Sequence, residues 1–238
     1  MLLQLENICV GFPKQPNLIS NATISIPKPS IIPLFGKNGS GKSVLLRTIA
    51  GITQPTQGRI QIHAEDLSKL TAIQKSAKSA FMTATPPAPN HLSILEIVLT
   101  GRQRFISGLN SPSHEDYQAI DYALQATGIE SIKNQPFAEL SDGTKQKVML
   151  ARCIAQDSKI ILLDEPLAFL DYPTRIEFLK LLHQISRDSE KLILYSSHDI
   201  TISLEYADAI LAIHQQELHF FQEPTAFNKS WLFPETLS

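Results

Sequence analysis

Ile31-Ile32-Pro33-Leu34-Phe35-Gly36-Lys37-Asn38-Gly39-Ser40-Gly41-Lys42-Ser43-Val44-Leu45-Leu46-Arg47-Thr48-Ile49-Ala50 is the stretch that decides the fold. Residues 31–35 are an apolar run ending at glycine, which reads as a buried strand. Residues 44–50 read as a helix, and Gly51 stops it. Between them, Gly36, Gly39 and Gly41 let backbone N–H groups turn inward around an oxyanion, and the helix adds its positive end. Lys42 is placed to neutralise the β- and γ-phosphates of a nucleotide, and the Ser43 hydroxyl to ligate Mg²⁺. The whole run Gly36, Lys37, Asn38, Gly39, Ser40, Gly41, Lys42, Ser43 therefore reads as a phosphate-cradling loop. A chance match in a chain of this length is on the order of one in a hundred, so a plain glycine-rich turn is the weaker reading.

Downstream, Ile160-Ile161-Leu162-Leu163-Asp164-Glu165 reads as a buried strand with two carboxylates at its C-terminal end. Ligands of open parallel sheets bind at that end. Asp164 is expected to hold Mg²⁺, directly or through water, and Glu165 to polarise the attacking water as a general base. An acidic pair that merely feeds the turn at Pro166 is the plainer alternative, and the upstream phosphate loop weighs against it. Leu140-Ser141-Asp142-Gly143-Thr144 opens a helix, with Ser141 as N-cap and Asp142 at the positive end. An ordinary capped helix accounts for it. The hydroxyl, the glycine amide and the helix dipole also make an anion site. His198 follows an apolar run at 192–196 and is expected to hydrogen-bond the γ-phosphate. Phe12, in the loop after the first strand, is a candidate to stack on adenine, against a plain core role.

The remainder of the chain frames these motifs. Its 238 residues are 43% apolar and 18% charged, a globular composition with room for one large domain or two small lobes. A net charge of −2 gives no sign of a nucleic-acid binder, which would carry a basic excess. Cys9 and Cys153 are isolated and read as buried thiols, not a disulfide or a metal pair. Residues 1–12 are apolar but lack a basic leader, and no uncharged apolar run approaches the ~18–20 residues that span a bilayer. A soluble, cytoplasmic protein is expected, with any membrane role exerted through a partner.

Leu3, Leu5, Ile24 and Ile26 fall at period two and predict an antiparallel hairpin. Residues 59–62 predict another strand. Pro86, Pro87 and Pro89 mark a loop. Residues 94–155 are helical in pattern, with breaks near 108–112 and 128–136. Strand 160–163, helix 174–186, strand 192–196, helix 200–206 and strand 209–213 then alternate, as in a parallel sheet. The expected fold class is α/β. A core at 1–85 and 158–238 carries an antiparallel β subdomain, and 86–157 is a helical insertion.

Taken in order, the loop at 36–43, the run 140–155, the run 160–171 and Ser196-Ser197-His198-Asp199 resemble the ATP-binding cassette ATPases, over nearly the whole chain. The resemblance implies a P-loop NTPase fold, ATP and Mg²⁺ as cofactors, and a head-to-tail homodimer with two ATP molecules at its interface. Ser141 and Gly143 of one copy would meet the γ-phosphate held by Lys42 of the other. Such a two-fold interface is self-complementary. Asp171 matches the loop that communicates across this interface, and Phe12 matches the adenine-stacking aromatic.

A finer likeness rests on Ile97-Val98-Leu99-Thr100-Gly101-Arg102, on the Leu-Ser-Asp-Gly variant, and on Ala168-Phe169-Leu170-Asp171-Tyr172-Pro173. It is similar to the subunits that energise import of iron chelates and siderophores, haem or cobalamin. That implies membrane-spanning permease partners, a substrate-binding protein acting indirectly, and a peripheral place on the inner face of the membrane. The permease surface is expected on the helical insertion and near 83–92, as an exposed apolar patch. A soluble cassette that remodels a macromolecular complex would ordinarily bring a second cassette or basic segments. A low-turnover regulatory cassette has Ala84 as its support.

The chain departs from the family pattern in three places. Ala84, within Phe81-Met82-Thr83-Ala84-Thr85, stands where a glutamine usually touches Mg²⁺ and water, with Thr83 and Thr85 as hydroxyl-bearing neighbours. Val44 replaces a threonine and removes a hydroxyl contact to the α-phosphate. Asp142 and Thr144 replace glycine and glutamine in the signature. The first departure bears on coupling more than on ATP binding.

Overall fold

A computed structural model describes residues 1–84, 91–106, 111–228, 230 and 232. Period-two alternation builds the first sheet. β1 (Leu3–Val10) and β2 (Ile19–Ile26) form the expected hairpin, with Leu3 opposite Ile26 and Leu5 opposite Ile24. β3 (Ile31–Gly36), buried throughout, feeds α1 (Lys42–Ile49) through the glycine turn. β4 (Gln57–Ile62) returns to pair with β1, and the short β5 (Glu65–Asp66) completes an antiparallel sheet in the order β2-β1-β4-β5. α2 (Ala72–Lys78) and β6 (Ser79–Met82) follow. The sequence hides α2 because none of its residues is buried, so it carries no apolar stripe to read.

α3 (Ile94–Leu99), α4 (His114–Ala126) and α5 (Asp142–Ala155) separate β6 from β7 (Ile160–Leu163) along the chain. Each starts at a serine. The hydroxyls of Ser93, Ser113 and Ser141 accept the N–H groups of Glu96, Asp116 and Thr144, satisfying orphan donors of the first turn. Asp116 has a second task. Its Oδ1 accepts a 2.8 Å bond from Arg102 Nε, and both side chains are buried. Arg102 also donates to the Ala155 carbonyl at the C-terminal end of α5, at 2.9 Å. The loop at Pro86, Pro87 and Pro89 lies outside the described residues, as does most of the break near 108–112.

α6 (Tyr172–Asp188) begins earlier than its apolar periodicity suggests, because Asp171 caps it and Pro173 fits the first turn. β8 (Leu192–Ser196), α7 (Ile200–Tyr206), β9 (Ile210–His214) and β10 (Glu217–Phe221) follow. The second sheet runs β10-β9-β3-β8-β7-β6. Its strands are parallel except β10, which folds back antiparallel on β9. The β9–β10 turn places Gln215 and Gln216 at φ 48° and 65°. That conformation usually recruits glycine or asparagine, so a Gln-Gln turn gives no warning of the extra strand.

Strand parity divides the core. Ile161, Leu163, Ile193 and Tyr195 pack with α3, α4, α5 and α6. Ile160, Leu162, Leu192 and Leu194 pack with Leu45, Leu46 and Ile49 of α1 and with the first sheet. Cys9 and Cys153 are buried and free. Among the described residues, no helix is long and apolar enough to cross a membrane.

Candidate nucleotide site

The same parity aims the acidic strand. Beyond Ile160 and Leu162, Asp164 falls on the face covered by α1. Beyond Leu192 and Leu194, so does Ser196. Leu163 pairs with Tyr195 in the parallel register, so Asp164 lies beside Ser196. Ser43 Oγ, on the first turn of α1, donates to Asp164 Oδ1 at 2.8 Å. Ser196 Oγ donates to the same oxygen at 2.9 Å and accepts the Glu165 N–H at 2.7 Å. A hydroxyl and a carboxylate side by side are the hard oxygen donors that Mg²⁺ takes, so the residues fit that ion. Ser196 opens the run 196–199, but the sequence assigns it no role of its own. The available signal was a serine at a same-face position of an otherwise apolar strand.

The phosphate loop is built as its glycines require. Gly41 has φ 102° and forms the N-cap of α1, and a Cβ there would come within 2.9 Å of Leu18 Cβ. The loop after β1 therefore packs on the phosphate loop. A cleft of about 470 Å³ opens between Pro16, Leu18, residues 37–40 and Gln216. Phe12 is half-exposed at the start of that loop. Lys42 is buried, and its Nζ donates to the carbonyls of Gly36 at 2.9 Å and Lys37 at 3.3 Å. Burial pushes its pKa below the ordinary lysine value, and the charges of Glu165 and Asp164 act in the opposite direction.

Glu165 takes φ 49°, a left-handed conformation that non-glycine residues rarely adopt. Its Oε1 there lies 3.1 Å from His198 Nε2. Arg175 of α6 ties the neighbouring loops together. Its Nε donates to the Leu170 carbonyl at 2.8 Å, and its Nη1 lies 3.3 Å from Asp199 Oδ2. A cavity of about 200 Å³ lies among Glu165, Arg175, Ser197 and His198. A buried cation, a hard-oxygen pair and a carboxylate held by histidine can together bind a polyphosphate and activate water.

Ser141 and Gly143 stand apart from this cluster. Ser141 Oγ is exposed and bonds within its own helix turn, to Thr144 Oγ1 at 2.9 Å. Gly143 abuts α6 instead of the phosphate loop. A Cβ on it would meet Thr174 Cγ2 at 2.9 Å. Asp171 accepts the Thr174 N–H at 3.0 Å, and bonds from Thr174 hold its carboxyl below the usual pKa range. Gly143 and Asp171 thus meet through Thr174 of one chain. Of the departures, Val44 packs partly buried against the α1 face of the core, and Ala84 follows β6. Thr85 lies outside the described residues.

The sequence matches the ABC transporter family over residues 19–168, from β2 through the acidic strand. The achromobactin transport ATP-binding protein CbrD of Dickeya dadantii is 32% identical over 211 residues, covering 89% of this chain and 78% of that protein. The iron(3+)-hydroxamate import ATP-binding protein FhuC of Bacillus subtilis is 31% identical over 211 residues, with 89% and 78% covered. Among solved structures, cbiO1 of Clostridium perfringens, part of the ABC transporter complex cbiONQ, superposes with a TM-score of 0.83 at 25% identity, covering 98% of this chain and 91% of that one. With the order of motifs, the fold and these relatives in agreement, the chain belongs to the ABC transporter family and is one of its ATP-hydrolysing cassettes.

Proposed function

We propose that this cassette is the ATPase subunit of an importer for iron chelates of the siderophore class. The observation that carries the catalytic part is the joining of Ser43, Asp164, Glu165 and His198 at the strand ends beside buried Lys42. In this reading Lys42 and the backbone of residues 36–43 hold the β- and γ-phosphates, and Phe12 stacks on adenine. Ser43 and Asp164 would hold Mg²⁺, which when bound would supply neutralisation of charge on the phosphates. Glu165 polarises the attacking water, and His198 orients Glu165 and contacts the γ-phosphate. Ser141 and Gly143 serve the ATP of a second copy, and Asp171 sits at the seam between copies.

The chain acts with membrane-spanning permease subunits and so lies on the cytoplasmic face of the membrane, with a substrate-binding protein as an indirect partner. A groove of about 430 Å³ among Phe81, Thr83, Leu92, Ile97 and Met149 suits a short apolar permease helix. It lies at the junction of the 86–157 helical unit with the core, which supports that division of the chain. The relatives' names favour iron chelates over haem or cobalamin. A cell lacking this chain should lose uptake of radiolabelled ferric chelates and regain it with the wild-type gene, but not with Glu165→Gln. Undiminished uptake in the deletion would refute the transport reading. A low-turnover regulatory cassette is the second reading, favoured by Ala84 alone. Steady turnover of Mg·ATP by the purified chain would exclude it.

A further inference from the structure

Ser196 lies at the strand ends beside both acidic residues, although the sequence assigns a role in its run only to His198. We infer that Ser196 is a positioning residue for ATP hydrolysis, joining the Asp164 carboxylate on the metal side of the site to the backbone of Glu165 on the water side through a single hydroxyl. This rests on the roles proposed above for Asp164 and Glu165.

Ser196 is fully buried at the end of β8. Its O–H donates to Asp164 Oδ1 at 2.9 Å, and its lone pair accepts the Glu165 N–H at 2.7 Å. Asp164 Oδ1 also takes the Ser43 hydroxyl at 2.8 Å, and the Asp164 N–H is anchored on the Met82 carbonyl at 2.9 Å. A carboxylate oxygen gripped by two hydroxyls cannot swing. Glu165, next along the chain, needs a different kind of support. Its backbone sits at φ 49°, a conformation that persists where surrounding contacts impose it. The bond to Ser196 is such a contact, and from that backbone the Glu165 side chain reaches His198. With alanine at 84, the end of β6 contributes no polar side chain at that position. From β8, the strand next to β7 on its other side, Ser196 touches both Asp164 and Glu165. An apolar residue at 196 would keep the sheet parity and strand the Glu165 N–H without its acceptor.

The test measures metal binding apart from turnover. Binding of Mn²⁺ to the protein–ADP complex is read by electron paramagnetic resonance, beside metal-free binding of a fluorescent ADP and kcat and KM for ATP. Wild type, Ser196→Ala, Ser196→Cys and Asp164→Asn are compared. Ser196→Ala should weaken Mn²⁺ binding and lower kcat, each roughly 10–100-fold as for other outer-shell partners of a metal site, with metal-free ADP binding unchanged. Ser196→Cys has nearly the same size and hydrogen-bonds weakly, so it should match Ser196→Ala, and it carries the test if the alanine variant does not fold. Wild-type Mn²⁺ binding in the Ser196 variants, beside a weakened Asp164→Asn, overturns the inference alone. A loss of kcat without any change in Mn²⁺ binding also overturns it. If Asp164→Asn itself binds Mn²⁺ normally, the metal assignment fails and the inference fails with it.

Discussion

The phosphate-loop end of the molecule and the signature end at Ser141 are built on opposite plans. At the first, Lys42 and Asp164 are buried, and hydrogen bonds tie α1, β7 and β8 together within one chain. At the second, Ser141 is exposed and satisfies only the first turn of its own helix. Burying a charged lysine beside two carboxylates requires that each be paired. An exposed hydroxyl at a helix start has no such requirement. One cluster is assembled by folding, whereas the other is exposed, as the proposed reading of a site shared with a second copy requires.

The contrast can be broken at several points, from strong effects to slight ones. Glu165→Gln should bind ATP normally and lose turnover by roughly 10²–10⁴-fold, the contribution of a positioned general base. Near-normal turnover, measured by phosphate release, would remove Glu165 from that role. Arg102→Met should lower unfolding free energy by about 3–5 kcal/mol, because it strands Asp116 as a buried unpaired charge. Urea denaturation reads this, and replacing Asp116 by asparagine in the same chain should recover part of the loss. The variant would show that the signature helix α5, held at its C-terminal end by Arg102, depends on the chain's interior although its N-terminal end faces out. Gly143→Ala should cost about 1–3 kcal/mol by overpacking against Thr174, and Thr174→Ser should relieve it. A stability unchanged by Gly143→Ala would mean that Gly143 is kept small by something other than α6.

Much of the first half-site was legible because its parts are short and local. Residues 36–43 are contiguous, and their glycines state the backbone conformation that the structure shows at Gly41. Asp164 and Glu165 were readable from the apolar run before them. The links between segments were not. Ser196 meets Asp164 and Glu165 only because β7 and β8 are adjacent and in register, and Arg175 meets Leu170 and Asp199 only through the placement of α6. β10 escaped notice because Gln215 and Gln216 adopt a turn that their side chains do not advertise. α2 escaped it because a helix with no buried face leaves no period to detect.

In the proposed dimer, Ser141 works on the nucleotide of another copy. The decisive measurement is the ATP-dependent mass of Glu165→Gln and of Ser141→Arg/Glu165→Gln, read by light scattering on chromatographed protein. ATP should convert the first to a dimer carrying two nucleotides. The double variant should bind ATP with the same affinity and remain monomeric, because the arginine blocks the seam but leaves the phosphate loop intact. Equal dimerisation of the two proteins, or loss of ATP binding in the monomeric double variant, would contradict the account.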